Sequence, residues 1–195
     1  PTYYRMPGHG KIRYQGPQGY NHGMLEEGIL KDSNTKENYM SLLEELLEYD
    51  YFKNRKPGTK LLIFAARIEM CITIRDFVAT IMPDDCTISK FTAEDPDSVL
   101  EDFEIIVSTP KSCGTGRDIP DLMVSIMTPA VASKQLSQQI MGRTRPSISY
   151  PDEDPRFYYL TCRSIQKHMD YDIGHVKDFS DKSKSIEPIE LLTVV

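Results

Sequence analysis

Seven consecutive residues, Gln139-Ile140-Met141-Gly142-Arg143-Thr144-Arg145, bring together a glutamine, a glycine and two closely spaced arginines. Gln139 and Arg143 are four apart and would project from one side of a helix. A guanidinium held there is a permanent cation with forked donors, suited to neutralising charge on a transferring phosphoryl group. Gly142 would let another chain segment or a phosphate come close. The same residues would also serve as a basic helix end complementing the helix dipole.

A second segment has related chemistry. After the apolar run Ile105-Ile106-Val107 come Ser108-Thr109-Pro110 and the loop Lys111-Ser112-Cys113-Gly114-Thr115-Gly116-Arg117-Asp118-Ile119-Pro120. Two glycines two apart let the backbone bend and present N–H groups to an anion, although most such loops are simply turns. Pro120 argues against a long helix following directly, and no third glycine opens one, so the dinucleotide-binding fingerprint does not fit.

The elements positioning these residues alternate. Apolar runs at residues 61–65, 87–91, 104–108, 122–127 and 156–162 predict strands. Helical spacing of apolar residues predicts helices from about 35, over 67–81 and 97–103, from Ser133 as N-cap with Leu136 and Ile140 buried, and over 163–172. Asn34 and Glu37 have the spacing of a capping box. Such alternation implies an α/β fold, a mostly parallel sheet with helices on both faces. Ligands bind such sheets at the carboxyl ends of the strands. That places Arg67, residues 109–118 and the arginine segment on one edge.

Taken in order, three segments resemble the second RecA-like domain of superfamily 2 helicases, over roughly residues 35–165. Lys60-Leu61-Leu62-Ile63-Phe64-Ala65-Ala66-Arg67 resembles motif IV, Ser108 through Pro120 motif V, and Gln139 through Arg145 motif VI. Within that superfamily the pattern is nearest to DNA helicases of phages and large DNA viruses. The resemblance implies a RecA-like fold forming the C-terminal motor half of an ATP-dependent helicase or translocase. Arg143 and Arg145 would supply charge at the ATP γ-phosphate, and Gln139 would sense the phosphate or the attacking water. Gly116 and Asp118 would approach the nucleotide, Asp118 at its ribose unless it couples instead to motif VI. Thr109, Lys111 and Arg67 would contact the nucleic-acid backbone, with DNA favoured over RNA. The pattern departs from the family in two places. The last motif VI arginine falls at Pro146, with Arg145 one position early, and the motif V loop is one residue longer, leaving open which arginine is the finger.

No Gly-x-x-x-x-Gly-Lys-Ser/Thr and no Asp-Glu-x-Asp/His occurs in the 195 residues. In the family both belong to the first RecA-like domain, which would cradle the triphosphate and hold most of the Mg2+ coordination. The expectation is therefore half of a two-domain motor, partnered by an N-terminal RecA-like domain and a nucleic acid and inactive alone.

Composition bounds the reading. Hydrophobic residues make up 39% and charged residues 27%, ordinary for one globular domain. No apolar run has the length of a membrane span and no secretory signal is visible, so no membrane partner is expected. Cys71, Cys86, Cys113 and Cys162 are scattered, which predicts reduced thiols, no metal site and an intracellular, cytoplasmic or nuclear setting. His168 and His175 read as surface residues. The net charge of −6 is unfavourable for a nucleic-acid binder, but no acidic residue precedes Glu26. Before it, Arg5, Lys11 and Arg13 interleave with Tyr3, Tyr4, Tyr14 and Tyr20. Such a segment would stack bases and contact phosphates, or would be a glycine-rich linker or hairpin near residues 11–14 whose tyrosines pack on the domain. Residues 1–34 thus form a basic Gly/Tyr-rich segment, 35–175 the RecA-like domain and 176–195 a tail or the start of a further element. Two rivals keep the α/β fold: a nucleic-acid-binding module without hydrolysis, and a flavodoxin-like domain holding a phosphate-bearing small ligand at residues 114–118.

Overall fold

A computed structural model of the chain describes residues 1–113 and 118–195. Its centre is a seven-stranded sheet in the order β5-β6-β4-β7-β8-β1-β9, every neighbouring pair parallel. The strands are β1 (Thr2–Arg5), β4 (Lys60–Phe64), β5 (Ile88–Phe91), β6 (Ile105–Ser108), β7 (Leu122–Met127), β8 (Arg156–Cys162) and β9 (Ile189–Val194). A small antiparallel hairpin, β2 (Gln15–Gly16) with β3 (Gly19–Tyr20), stands apart. The helices are α1 (His22–Lys31), α2 (Ser33–Leu46), α3 (Phe52–Asn54), α4 (Ile68–Ile81), α5 (Ser98–Asp102), α6 (Pro110–Cys113), α7 (Lys134–Met141) and α8 (Gln166–Phe179).

The central strands read as unbroken apolar runs because both faces are covered. All five residues of β4 are buried. Leu61 and Ile63 join one core with α1, α2 and α4, while Leu62 and Phe64 join the other with α5, α7 and α8. The alternation follows from the period of two along a strand.

The ends of the chain belong to this sheet. Thr2 lies opposite Leu160 of β8 on one side and Ile189 of β9 on the other. Residues 189–194 thus form an edge strand, a further element rather than a tail. Near the amino end, the hairpin falls at residues 15–20 rather than 11–14: Pro17 starts the turn, and Gly19 closes it at φ 93°. Asp32, not Asn34, caps α2 by accepting from the Thr35 N–H at 2.7 Å. One extended residue therefore ends α1 and begins α2. Likewise α8 continues to Phe179, beyond the expected end near 172, because His168, Asp172, His175 and Phe179 form a buried face. No helix among the described residues is long and apolar enough to cross a membrane.

Candidate functional site

Helix α7 carries the arginine segment. The Ser133 hydroxyl caps it by accepting from the Leu136 N–H at 3.2 Å. Ser137 and Ile140 are buried against the domain, and Ser137 Oγ bonds His175 Nε2 of α8 at 3.2 Å. This fixes the helix in rotation, so Gln139 faces solvent and Arg143 is half-buried at the far end. The Arg143 N–H donates to the Ile140 carbonyl at 3.2 Å, tying the arginine's backbone to a core residue. A Cβ on Gly142 would meet the Gln138 carbonyl of its own helix at 3.2 Å, so the glycine serves the helix end rather than the approach of another segment.

The segment after β6 comes near this end at Cys113. Burial pushes the Cys113 thiol up to about 11, and the Arg143 charge acts on it in the opposite direction. The Arg145 N–H donates to the Leu122 carbonyl at 3.1 Å, and its Nε to the Gly142 carbonyl at 3.3 Å, leaving the side chain exposed. Asp121, just before β7, has φ 55° and accepts from Ser147 Oγ at 2.5 Å. Asp118 is exposed ahead of it. Gly116 lies outside the described residues, as do Gly114, Thr115 and Arg117.

The nucleic-acid candidates sit elsewhere. Thr109 follows β6 at its carboxyl end, and its hydroxyl is engaged by Ser112: it accepts from the Ser112 N–H at 3.1 Å and bonds Ser112 Oγ at 3.0 Å. The expected loop at Lys111 is a helical turn, α6, with Pro110 at its first position, where a missing N–H costs nothing. Lys111 is exposed on that turn, with no ion-pair partner among the described residues. Arg67 is the N-cap of α4 at the carboxyl end of β4, 3.6 Å from Glu27 and 3.4 Å from Glu69. The expectation of one shared edge therefore fails. Arg67, Thr109 and Lys111 are at carboxyl ends of strands, whereas Arg145 pairs with the first residue of β7. Helix α7 runs back along β7 after the crossover, so its last turn returns to the strand's amino end.

Behind the carboxyl edge lies a polar network that the sequence did not reveal. Glu26 of α1, 0% exposed, accepts from the N–H groups of Ala66 and Arg67, both at 2.7 Å. His22 Nε2 faces Glu26 at 3.5 Å, and His22 Nδ1 accepts from the Ala130 N–H at 3.1 Å. Tyr20 Oη bridges His22 Nδ1 at 2.6 Å and His168 Nε2 at 2.5 Å. His168 Nδ1 in turn accepts from the Cys162 N–H at 3.1 Å. Each imidazole thus takes a backbone N–H on Nδ1, so in its neutral form it carries its own proton on Nε2. With that tautomer His168 Nε2 donates to the Tyr20 hydroxyl, which in turn shares the single Nδ1 lone pair of His22 with the Ala130 N–H. The network ties together the chain following β4, β7 and β8.

His168 and His175 are buried, 1% and 6% exposed, contrary to the surface reading. The apolar faces that cover them come from segments distant in sequence. Burial, followed by the nearby His22, pulls His168 down to about 3. Burial also lowers His175, partly opposed by Asp172. An imidazole in the unfolded chain titrates near 6.5, so between that pH and about 3 the unfolded state holds the extra proton. The His168 contribution to stability is therefore complete above about pH 6.5 and is lost as pH falls toward 3, by up to about 1.4 kcal/mol per pH unit. Urea melts of the parent and His168→Gln at pH 7 and pH 5 should differ in this dependence, the variant losing less on acidification. Equal losses would remove His168 from the acid response.

The four cysteines are buried and unpaired. Burial raises Cys71 to about 12 and opposes thiolate formation.

No protein-family model and no curated protein matches the sequence. Solved structures do. T4 UvsW is similar over 97% of this chain and 40% of its own, at TM-score 0.60 and 12% identity. Domain 2 of the DEAD-box helicase Mss116p, bound to an RNA duplex, is similar over 79% of this chain and 60% of its own, at TM-score 0.57 and 14% identity. S. cerevisiae Dbp5, bound to RNA and ADP BeF3, is similar over 78% of this chain and 38% of its own, at TM-score 0.54 and 14% identity. The chain thus corresponds to about two fifths of the length of UvsW and Dbp5. These likenesses establish an α/β RecA-like fold, as found in the second domain of such helicases.

Proposed function

We propose that this chain is the C-terminal motor half of an ATP-dependent nucleic-acid helicase or translocase. The observation carrying the proposal is α7, whose capped, core-anchored frame on a RecA-like sheet holds Arg143 near Cys113 of the motif V segment and Arg145 beside the start of β7. Two guanidinium groups and the Gln139 amide are the donor set that terminal phosphate oxygens need. They fit the outer side of a nucleoside triphosphate whose other side is held, with Mg2+, by a first RecA-like domain. Arg143 would lower the charge on the transferring group and Gln139 would orient the terminal phosphate or the water. Asp118, with Gly116, would approach the ribose side.

Lys111, exposed at the carboxyl end of β6, would hold the nucleic-acid backbone, with Thr109 fixing its turn and Arg67 contributing beside Glu27. Such contacts position a strand without reading its sequence. Resemblance to phage-type DNA helicases favours DNA, while the fold is shared with proteins bound to RNA. Because the phosphate-cradling loop belongs to the other half, purified residues 1–195 should fold and show no nucleic-acid-stimulated ATP hydrolysis. Robust turnover by that chain alone would overturn the proposal.

A further inference from the structure

The basic residues near the amino end have a place in the fold independent of motifs V and VI. Their tyrosine neighbours are not a stacking platform. Tyr4 is 2% exposed, the Tyr3 hydroxyl donates to Asp172 at 2.7 Å, and Tyr20 belongs to the histidine network. Lys11 and Arg13, by contrast, are exposed and line a cleft of about 790 Å³. One wall is the turn at residues 7–13; the other is α1 and the start of α2, with Lys31, Asn34 and Asn38. The walls meet at Gly28, where a Cβ would lie 2.1 Å from Ile12 Cγ2, so the glycine permits the close packing that shapes the cleft.

The charges are sorted. The cleft's two carboxylates are engaged: Glu27 with Lys31 at 2.5 Å and Arg67 at 3.6 Å, and Asp32 with the Thr35 N–H. Both are held below the ordinary carboxylate range, Glu27 by Lys31 first and Asp32 by Thr35. Lys11 and Arg13 have no ion-pair partner among the described residues. In a chain of net charge −6, they lie in a stretch without acidic residues. The cleft also reaches Val194, the last residue of β9, and Val195, and its Glu27 pairs with Arg67 at the end of β4 at 3.6 Å. It therefore lies on the same strand-end side as Lys111.

We propose that this cleft is a second phosphate-backbone site, in which Lys11 and Arg13 hold a single nucleic-acid strand that also passes the β4 and β6 loops. The motor-half reading supplies the identity of the polyanion; the site itself rests on the cleft and its two exposed cations, which act on Glu27 and Asp32 only through space and leave their donors to solvent. The test is fluorescence anisotropy of a labelled single strand with residues 1–195 over a range of salt concentrations. Each phosphate contact contributes about 0.7 to the slope of log affinity against log salt for single strands. The Lys11→Ala/Arg13→Ala pair should therefore lower the slope by about 1.4 and weaken binding on the order of tenfold at about 0.1 M salt. Lys11→Arg/Arg13→Lys should retain parental binding, and Lys111→Ala should lower the slope by about 0.7 independently. Both cleft side chains are exposed, so the alanine variants should keep the parental circular dichroism. An unchanged slope in the double alanine variant, with Lys111→Ala still weakening binding, would overturn the cleft and leave the motor-half reading standing. Failure of the parent chain to bind any single strand at low salt would overturn both.

Discussion

Replacing Arg143 by alanine in the two-domain protein should cut ATP hydrolysis by about 10³ to 10⁵, the range found for arginines supplied to a transferring phosphoryl group. The reason is positional. Arg143 closes a helix whose start is capped by Ser133 and whose buried face is set by Ser137 and Ile140. Its backbone bonds back to the Ile140 carbonyl, so the guanidinium begins from a fixed point. An interaction made chiefly in the transition state should lower kcat and kcat/KM together, leaving KM little changed. Arg143→Lys should not restore the rate, because a compact ammonium cannot reproduce the planar fork. Arg145→Ala should cost less: that side chain is exposed and its Nε is bonded to Gly142. Parental hydrolysis rates in both alanine variants would remove α7 from the nucleotide site. Circular dichroism on the same preparations separates lost chemistry from lost fold.

The second large effect is expected at Glu26, on stability rather than chemistry. Its buried carboxylate is the recorded partner of two backbone N–H groups at the start of α4. Leaving a buried donor unsatisfied costs about 1–3 kcal/mol, so Glu26→Ala should lose roughly 2–6 kcal/mol. For a chain of this size that is a fall in Tm of roughly 10 °C. Glu26→Gln, whose amide oxygen can still accept, should lose distinctly less. Chemical denaturation of the 195-residue chain measures both. A Glu26→Ala variant within about 0.5 kcal/mol of the parent, the range of an ordinary surface change, would mean that the carboxylate does not support the β4–α4 junction.

The contrast between these residues shows what local sequence could and could not reveal. Strands β7 and β8 have the bounds expected from their apolar runs, and the Ser133 cap of α7 is where hydroxyl chemistry placed it. In each case the signal lies within a few residues of the feature. Helix α1 had no such signal, because Gly23 and Gly28 interrupt it and its buried face contains Glu26. A carboxylate on a buried face makes sense only with its partners, which lie forty residues away. Strands β1 and β9 were missed for a similar reason: β1 pairs with β8 and β9 from the opposite end of the chain, so nothing within a few residues of either strand marks it. The histidines were misread because their partners Tyr20 and Ser137 arrive from other elements. At the candidate site, the residue types were legible, but their division between two ends of the sheet depended on the return direction of α7.

The most direct test of the motor-half reading is steady-state ATP hydrolysis by the protein carrying both halves, with and without a single nucleic-acid strand. The expected result is turnover that rises when the strand is added and disappears when residues 1–195 are removed. Turnover unaffected by that removal, or none at any strand concentration, would contradict it.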